Sequence, residues 1–179
     1  MEGSQPIRLL VILSTDETGD PSAGAVTLGR IASPYYLFKD DGAEVVLATL
    51  TGGHPNLPDF RDAEPQEPSV RRLLLDRAAR DDLADTLAAS QIVSEDFDAA
   101  LCLGFAGTLR ESDSDGVAAI LISLLESGKP VAIIFGSSVA AAPYPEGDGL
   151  LMFGVSDDAP ILAAHALLAI VKERRNRIV

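Results

Sequence analysis

The 179-residue sequence has no tryptophan, two methionines, two histidines and a single cysteine. One cysteine excludes an internal disulfide and fits a reducing compartment, with the cytoplasm as the default expectation. The two histidines, His54 and His165, stand on separate segments without a chelating spacing, so no metal site is expected. Positive charge is scarce as well: 14 Lys and Arg against 27 Asp and Glu leave a net charge of -13. A field of that sign repels phosphate backbones and anionic lipid, which argues against nucleic acid and membrane surfaces as partners. No apolar run is long enough to cross a bilayer, and Met1 to Pro6 has neither the basic start nor the apolar stretch of a signal peptide. The only basic run, Lys172, Arg174, Arg175 and Arg177, falls in the last turns of an expected helix, where cations complement the dipole, and reads as a solvated helix end.

Apolar residues make up 47% of the chain and charged residues 23%, the balance of an ordinary globular protein, and the length suits one domain over residues 1–179. Short apolar runs alternate with amphipathic stretches. Ile7 to Leu13, Glu44 to Leu50, Phe97 to Leu103 and Val131 to Phe135 read as strands buried on both faces. Between them, Val26 to Phe38, ending at Gly42, reads as a helix; so do Val70 to Ala89, with Leu73, Leu74, Leu83 and Leu87 available for burial, and Val117 to Glu126, capped by Gly128. A last helix over Ala159 to Arg174 carries Ile161, Leu162, Leu168 and Val171 toward the core. This alternation predicts an α/β, flavodoxin-like, doubly wound and mostly parallel sheet with helices on both faces. Ligands of such sheets sit outside the carboxyl ends of the strands, so the loops after Leu13, Leu50, Leu103 and Phe135 are the places to look for chemistry.

The first of these loops, Ser14 to Asp20, mixes hydroxyls with acids. Glu17 and Asp20 are candidates for a general acid or base, against the plainer reading of turn carboxylates that cap the next helix. Ser14, Thr15 and Thr18 offer hydroxyls to a flavin phosphate, but Asp16, Glu17 and Asp20 among them oppose it, and no Gly-x-Gly-x-x-Gly or Walker loop is present. No cofactor is therefore expected. His54 follows Gly52-Gly53 at the pocket rim. Asp113-Ser114-Asp115-Gly116 starts like a calcium loop, lacks the later glutamate and reads as a helix N-cap. Cys102, inside a strand, reads as a buried inert thiol rather than a nucleophile.

Ser33-Pro34-Tyr35-Tyr36-Leu37-Phe38-Lys39-Asp40-Asp41-Gly42-Ala43-Glu44-Val45 resembles the first-helix and second-strand block of the ThiJ/PfpI superfamily, in its glyoxalase- and chaperone-like branch. The resemblance continues in order through Thr51-Gly52-Gly53, Asp96 to Ala100, Gly104 to Gly107 and Gly128 to Ala132. It implies a cysteine on a sharp turn after the fourth of the strands named above, followed by histidine, with a glutamate from the first helix hydrogen-bonded to the thiol. The positions that match the first two hold Phe135 and Gly136, and the glutamate position falls at Gly29, or at Arg30 one residue on. A phenyl ring cannot attack a carbonyl. Gly104-Phe105-Ala106-Gly107 matches the glycine-rich loop whose backbone amides make an oxyanion hole, and Ser137 and Ser138 complete the turn. Ala142 to Gly149 is shorter than the insertion that covers the site in similar chains.

The resemblance therefore implies a protein that has lost its cysteine chemistry and acts by binding a small molecule or another subunit, as a homodimer or with a related chain. Phe135 and Ala140-Ala141-Ala142 are candidate contact surface. The rival expectation is a thiol-independent lyase, hydratase or isomerase of a small carbonyl compound, with Glu17 or Asp20 moving protons and the Gly104 to Gly107 amides holding an oxyanion. Ser137 is a further catalytic candidate.

Overall fold

A computed structural model of the chain describes residues 5–14, 26–55, 57, 67–104, 116–134, 151–154 and 158–178. Six strands form one sheet: β1 (Arg8–Leu13), β2 (Glu44–Thr49), β3 (Leu87–Ala88), β4 (Ala99–Leu103), β5 (Val131–Ile134) and β6 (Leu151–Gly154). Their order across the sheet is β3-β2-β1-β4-β5-β6, and each of these neighbouring pairs is parallel. Without the two-residue edge strand β3, the order is the flavodoxin-like arrangement that the alternation predicts. The helices are α1 (Leu28–Asp40), α2 (Pro68–Leu75), α3 (Arg77–Ala84), α4 (Val117–Glu126) and α5 (Ala159–Ile178).

Although β1 and β4 are apolar throughout, the two-residue period of a strand divides them between two cores. Leu9, Val11 and Leu13, with Ala99, Leu101 and Leu103, pack under α1, α2, α3 and α5. Leu10 and Ile12, with Ala100 and Cys102, pack under α4. The helix after β1 thus covers one face, and the helix after β4 the other. The chain reverses its direction of winding between β1 and β4, the switch point at which open α/β sheets leave a crevice.

The stretch from Val70 to Ala89, expected as one helix, is two helices and an edge strand. Asp76 ends α2 in an extended conformation and begins α3, its Oδ1 accepting from the Ala79 backbone N–H at 3.3 Å. A helix former cannot run on past that residue, because its side chain is engaged in capping the next helix. Leu73 and Leu83 are buried as expected, whereas Leu87 lies on β3 and is 37% exposed. Asp76 also accepts from the Tyr36 hydroxyl at 3.0 Å, and Tyr35 donates to Asp82 at 2.6 Å, so two adjacent tyrosines of α1 hold both short helices. Burial, reinforced by these carboxylates, pushes both phenols up from their ordinary value. Arg72 of α2 lies 3.9 Å over the Tyr36 ring and grips Asp40 through two bonds of 2.7 Å.

Other boundaries shift for local reasons. The strand expected from Phe97 begins at Ala99, since Ser94–Asp96 forms a 3-10 turn and Phe97 tucks under the Arg8 guanidinium at 5.3 Å. Leu50 follows the end of β2 and is exposed. β6 is a strand that the sequence pattern left unassigned. Among the residues expected to close a face from the last helix, Leu168 and Val171 are buried but Leu162 is 62% exposed. Gly42 and Gly128 follow α1 and α4 with φ of 84° and 77°, as helix C-terminal glycines do. Gly116 is the N-cap of α4; the three residues before it lie outside the described residues.

The basic end of α5 is not simply solvated. Lys172 pairs with Asp41 at 2.6 Å, Arg174 donates to the Gly128 carbonyl, and Arg175 reaches Asp98 and the carbonyls of Gln5 and Pro6. These cations tie α5 to the amino edge of the sheet.

Candidate functional site

Three strands end level at the carboxyl edge. Leu13 is in register with Leu103, and Leu103 with Ile134. The Ser14 backbone N–H donates to Leu103 O and that of Gly104 to Ile134 O, both at 2.9 Å. Ser14 and Gly104 therefore follow the ends of β1 and β4 beside the switch point. Gly104 is buried with a φ of 77°, a conformation that excludes most side chains. Of the residues nominated from the sequence, Ser14, Gly104 and His54 are described. Glu17, Asp20, Phe105, Ala106, Gly107, Phe135, Gly136, Ser137 and Ser138 lie outside the described residues.

The loop after β2 is braced by a buried hydroxyl chain. Thr86 Oγ1 donates to Gly53 O, which leaves it as acceptor of the Thr49 hydroxyl at 3.0 Å, while Thr49 Oγ1 accepts from the Gly52 N–H at 2.8 Å. Gly52 and Gly53 have φ of 79° and 77°. A Cβ on Gly52 would meet Ala88 N at 3.0 Å and Thr86 O at 3.2 Å, so backbone closeness requires glycine there. His54 follows this rigid turn, exposed, with Nδ1 2.7 Å from Pro55 O. A carbonyl only accepts, so Nδ1 carries the proton. His165 is on α5, and among the described residues no cluster of three His, Cys, Asp or Glu is arranged to hold a metal ion.

Cys102 occupies the middle of β4 between Ile12 of β1 and Ile133 of β5, with no exposed surface. Burial pushes its thiol up from the ordinary value, the reverse of what a nucleophilic thiolate needs.

The structure also brings beside the first turn of α1 an exposed acid that the sequence did not single out. At Gly29, in the first turn of α1, a Cβ would lie 3.2 Å from Oε2 of Glu67, the residue before α2. The carboxylate matched by the resemblance to position 29 is thus missing from α1, yet another carboxylate rests against that same glycine. No sequence signal joins residues 29 and 67; only the parallel packing of α1 and α2, seen also in the 3.1 Å contact of the Ser33 and Ser69 hydroxyls, does so.

A cavity of about 410 Å³ opens at the opposite edge, against Ile7, Asp41, Gly42, Lys172, Arg175 and Asn176. Its charged groups are engaged within the fold by the ion pairs of α5 already described. None of the described helices is long and apolar enough to cross a membrane.

No protein-family model matches the sequence, and no curated protein matches it. Solved structures do. Glyoxalase III from Candida albicans superposes with a TM-score of 0.63 at 16% identity, over 91% of this chain and 96% of that one. Rapid Encystment Protein 24 KDa from Francisella tularensis superposes with a TM-score of 0.62 at 10% identity, over 92% and 99%. A ThiJ/PfpI domain protein from Brachyspira murdochii gives 0.52 at 12% identity, over 95% and 99%. At such identities the likeness is one of fold, and the fold of this chain is that of the ThiJ/PfpI superfamily.

Proposed function

We propose that this chain is a ThiJ/PfpI superfamily protein that has kept the scaffold without its cysteine chemistry, and that it binds a small ligand in the crevice at the carboxyl edge of the sheet. The observation that carries the reading is Cys102. The chain has no other cysteine, and this one is enclosed within β4 with its thiol held protonated by burial. Thiol chemistry needs an accessible thiolate, and neither half of that requirement is met. The Phe135 that matches the nucleophile position supports the same conclusion from the sequence. A ligand crevice is supported by the switch point between β1 and β4, whose following helices α1 and α4 cover opposite faces of the sheet.

The test uses methylglyoxal, chosen because a glyoxalase III shares the fold. The native chain is expected to consume it no faster than Cys102→Ala does. Turnover that disappears in Cys102→Ala overturns the reading. Turnover that survives there but is lost in Glu17→Gln or Asp20→Asn transfers the assignment to thiol-independent acid–base chemistry.

A further inference from the structure

We infer that α2 and α3 form a strap over α1 and β2 that opens and recloses as one unit while the sheet stays folded, and that the hydroxyls of Tyr35 and Tyr36 are its clasp. The inference is independent of the ligand-binding reading above and concerns a different part of the molecule.

The two helices have little of their own to hold them. Each has eight residues, a length at which an isolated helix is marginal in water, and Asp76 interrupts the pair with an extended backbone. Only Val70 and Leu73 of α2 and Ala79 and Leu83 of α3 are buried, whereas every residue of β4, and of β1 from Leu9 onward, is buried. Leu75, at the end of α2, is 79% exposed. Beyond α3 the chain is fixed again, because Thr86 donates to Gly53 O and bonds the Thr49 hydroxyl. A thinly buried stretch thus ends at an anchored residue.

The clasp is polar and lies on α1, which belongs to the body of the fold through Leu28, Ile31, Ala32 and Phe38. Tyr35 donates to Asp82 of α3 at 2.6 Å and Tyr36 to Asp76 between the helices at 3.0 Å, while the Ser33 and Ser69 hydroxyls meet at 3.1 Å. Arg72 and Asp40 are about half exposed, so their pair adds less. A hydroxyl bonded to an ionised carboxylate is strong while water is kept away, yet both partners rehydrate when the helices lift. Opening uncovers Val45 and Leu47 of β2, which share a core with Leu73 and Leu83, and leaves β1 and β4 paired. Access to that face of β2 is thus set at α1 rather than at the switch point.

Native-state hydrogen exchange of the full chain separates a local opening from unfolding of the whole, amide by amide. The amides of Leu74 and Leu83 are expected to exchange about ten-fold or more faster than those of Leu10 and Leu101. Asp98→Ala, which loosens the sheet and touches neither helix, is expected to speed Leu10 and Leu101 and to leave Leu74 and Leu83 unchanged. Tyr35→Phe is expected to speed all four about five-fold, because the clasped form is the starting state of both openings. In a Ser33→Cys/Ser69→Cys chain, oxidation to the disulfide is expected to slow Leu74 and Leu83 to the rate of Leu10, and reduction to restore the difference. The inference fails if Asp98→Ala speeds Leu74 and Leu83 in step with the strands, since the helices then open only with the whole fold. It fails also if Leu74 and Leu83 respond differently to Tyr35→Phe, or if the disulfide leaves their exchange unchanged.

Discussion

One oxygen of Asp98, Oδ2, accepts both the Arg8 backbone N–H and the Arg175 guanidinium, each at 2.8 Å, so the start of β1 and the end of α5 converge on a single carboxylate beside β4. Both side chains of the ion pair are about 30% exposed, which places it between a buried bridge and a surface pair. Asp98→Ala is expected to cost about 1–2 kcal/mol, because it strands a backbone donor as well as a cation. Asp98→Asn keeps an acceptor for Arg8 and is expected to lose less. Urea unfolding of the two variants gives the ordering; equal losses would mean that the charge, not the backbone bond, matters.

Asp76 joins α2 to α3 and titrates. Its carboxyl is held below the ordinary value of 3.8, first by the Ala79 backbone N–H and then by the Tyr36 hydroxyl. The folded form releases this proton more readily than the unfolded form. The resulting stabilisation is present above the unfolded value and is lost as pH falls through the lower folded one. Asp40 shifts the same way through Arg72. The urea midpoint is therefore expected to fall between pH 5 and pH 3, and to fall less steeply in Asp76→Asn. An unchanged slope would remove Asp76 from the acid response.

Gly52 and Gly53 share a left-handed backbone but not the same surroundings. Alanine at Gly53 meets nothing within 4 Å and is expected to cost only the backbone penalty, about 1 kcal/mol. Alanine at Gly52 adds a collision with the backbone of Thr86 and Ala88, and is expected to cost about 2–3 kcal/mol or more. Thermal melts of the two variants report the difference, and equal shifts would show that the β2 loop yields.

Cys102 is expected to resist iodoacetamide in the native chain and to react on unfolding, so that alkylation follows opening of the central strands. Its rate should rise in Asp98→Ala in step with the lost stability. Rapid stoichiometric labelling without denaturant would contradict its enclosure in β4.

Much of the scaffold was legible because the sheet buries both faces. Leu9 to Leu13, Ala99 to Leu103 and Val131 to Ile134 announce themselves as apolar runs, and Gly42 and Gly128 mark helix ends through a conformation that favours glycine. The break at Asp76 was not legible. Its cause is a tertiary arrangement, with Tyr36 and Ala79 each donating to one oxygen of the same carboxylate, and a 3.6-residue period carries no record of it. β3 was missed for a similar reason: Thr86 is buried by its bond to Thr49, a pairing 37 residues apart, and Leu87 is carried to the edge with it. At the site, Ser14 and Gly104 were found by counting to the ends of strands. The meeting of Glu67 with Gly29 beside the first turn of α1 was not, because it depends on two helices lying side by side.

The short strand β3 bears on self-association. It offers only Leu87 and Ala88 as a ladder, and the Ala88 N–H is already taken by the Gln91 side chain at 2.9 Å. An incoming strand would find almost no free rung at this margin, so recruitment of a second sheet by edge pairing is disfavoured here. Two copies meeting at this end of the molecule would have to join through side chains, and such a contact could be abolished by surface substitutions without unpicking any backbone pairing.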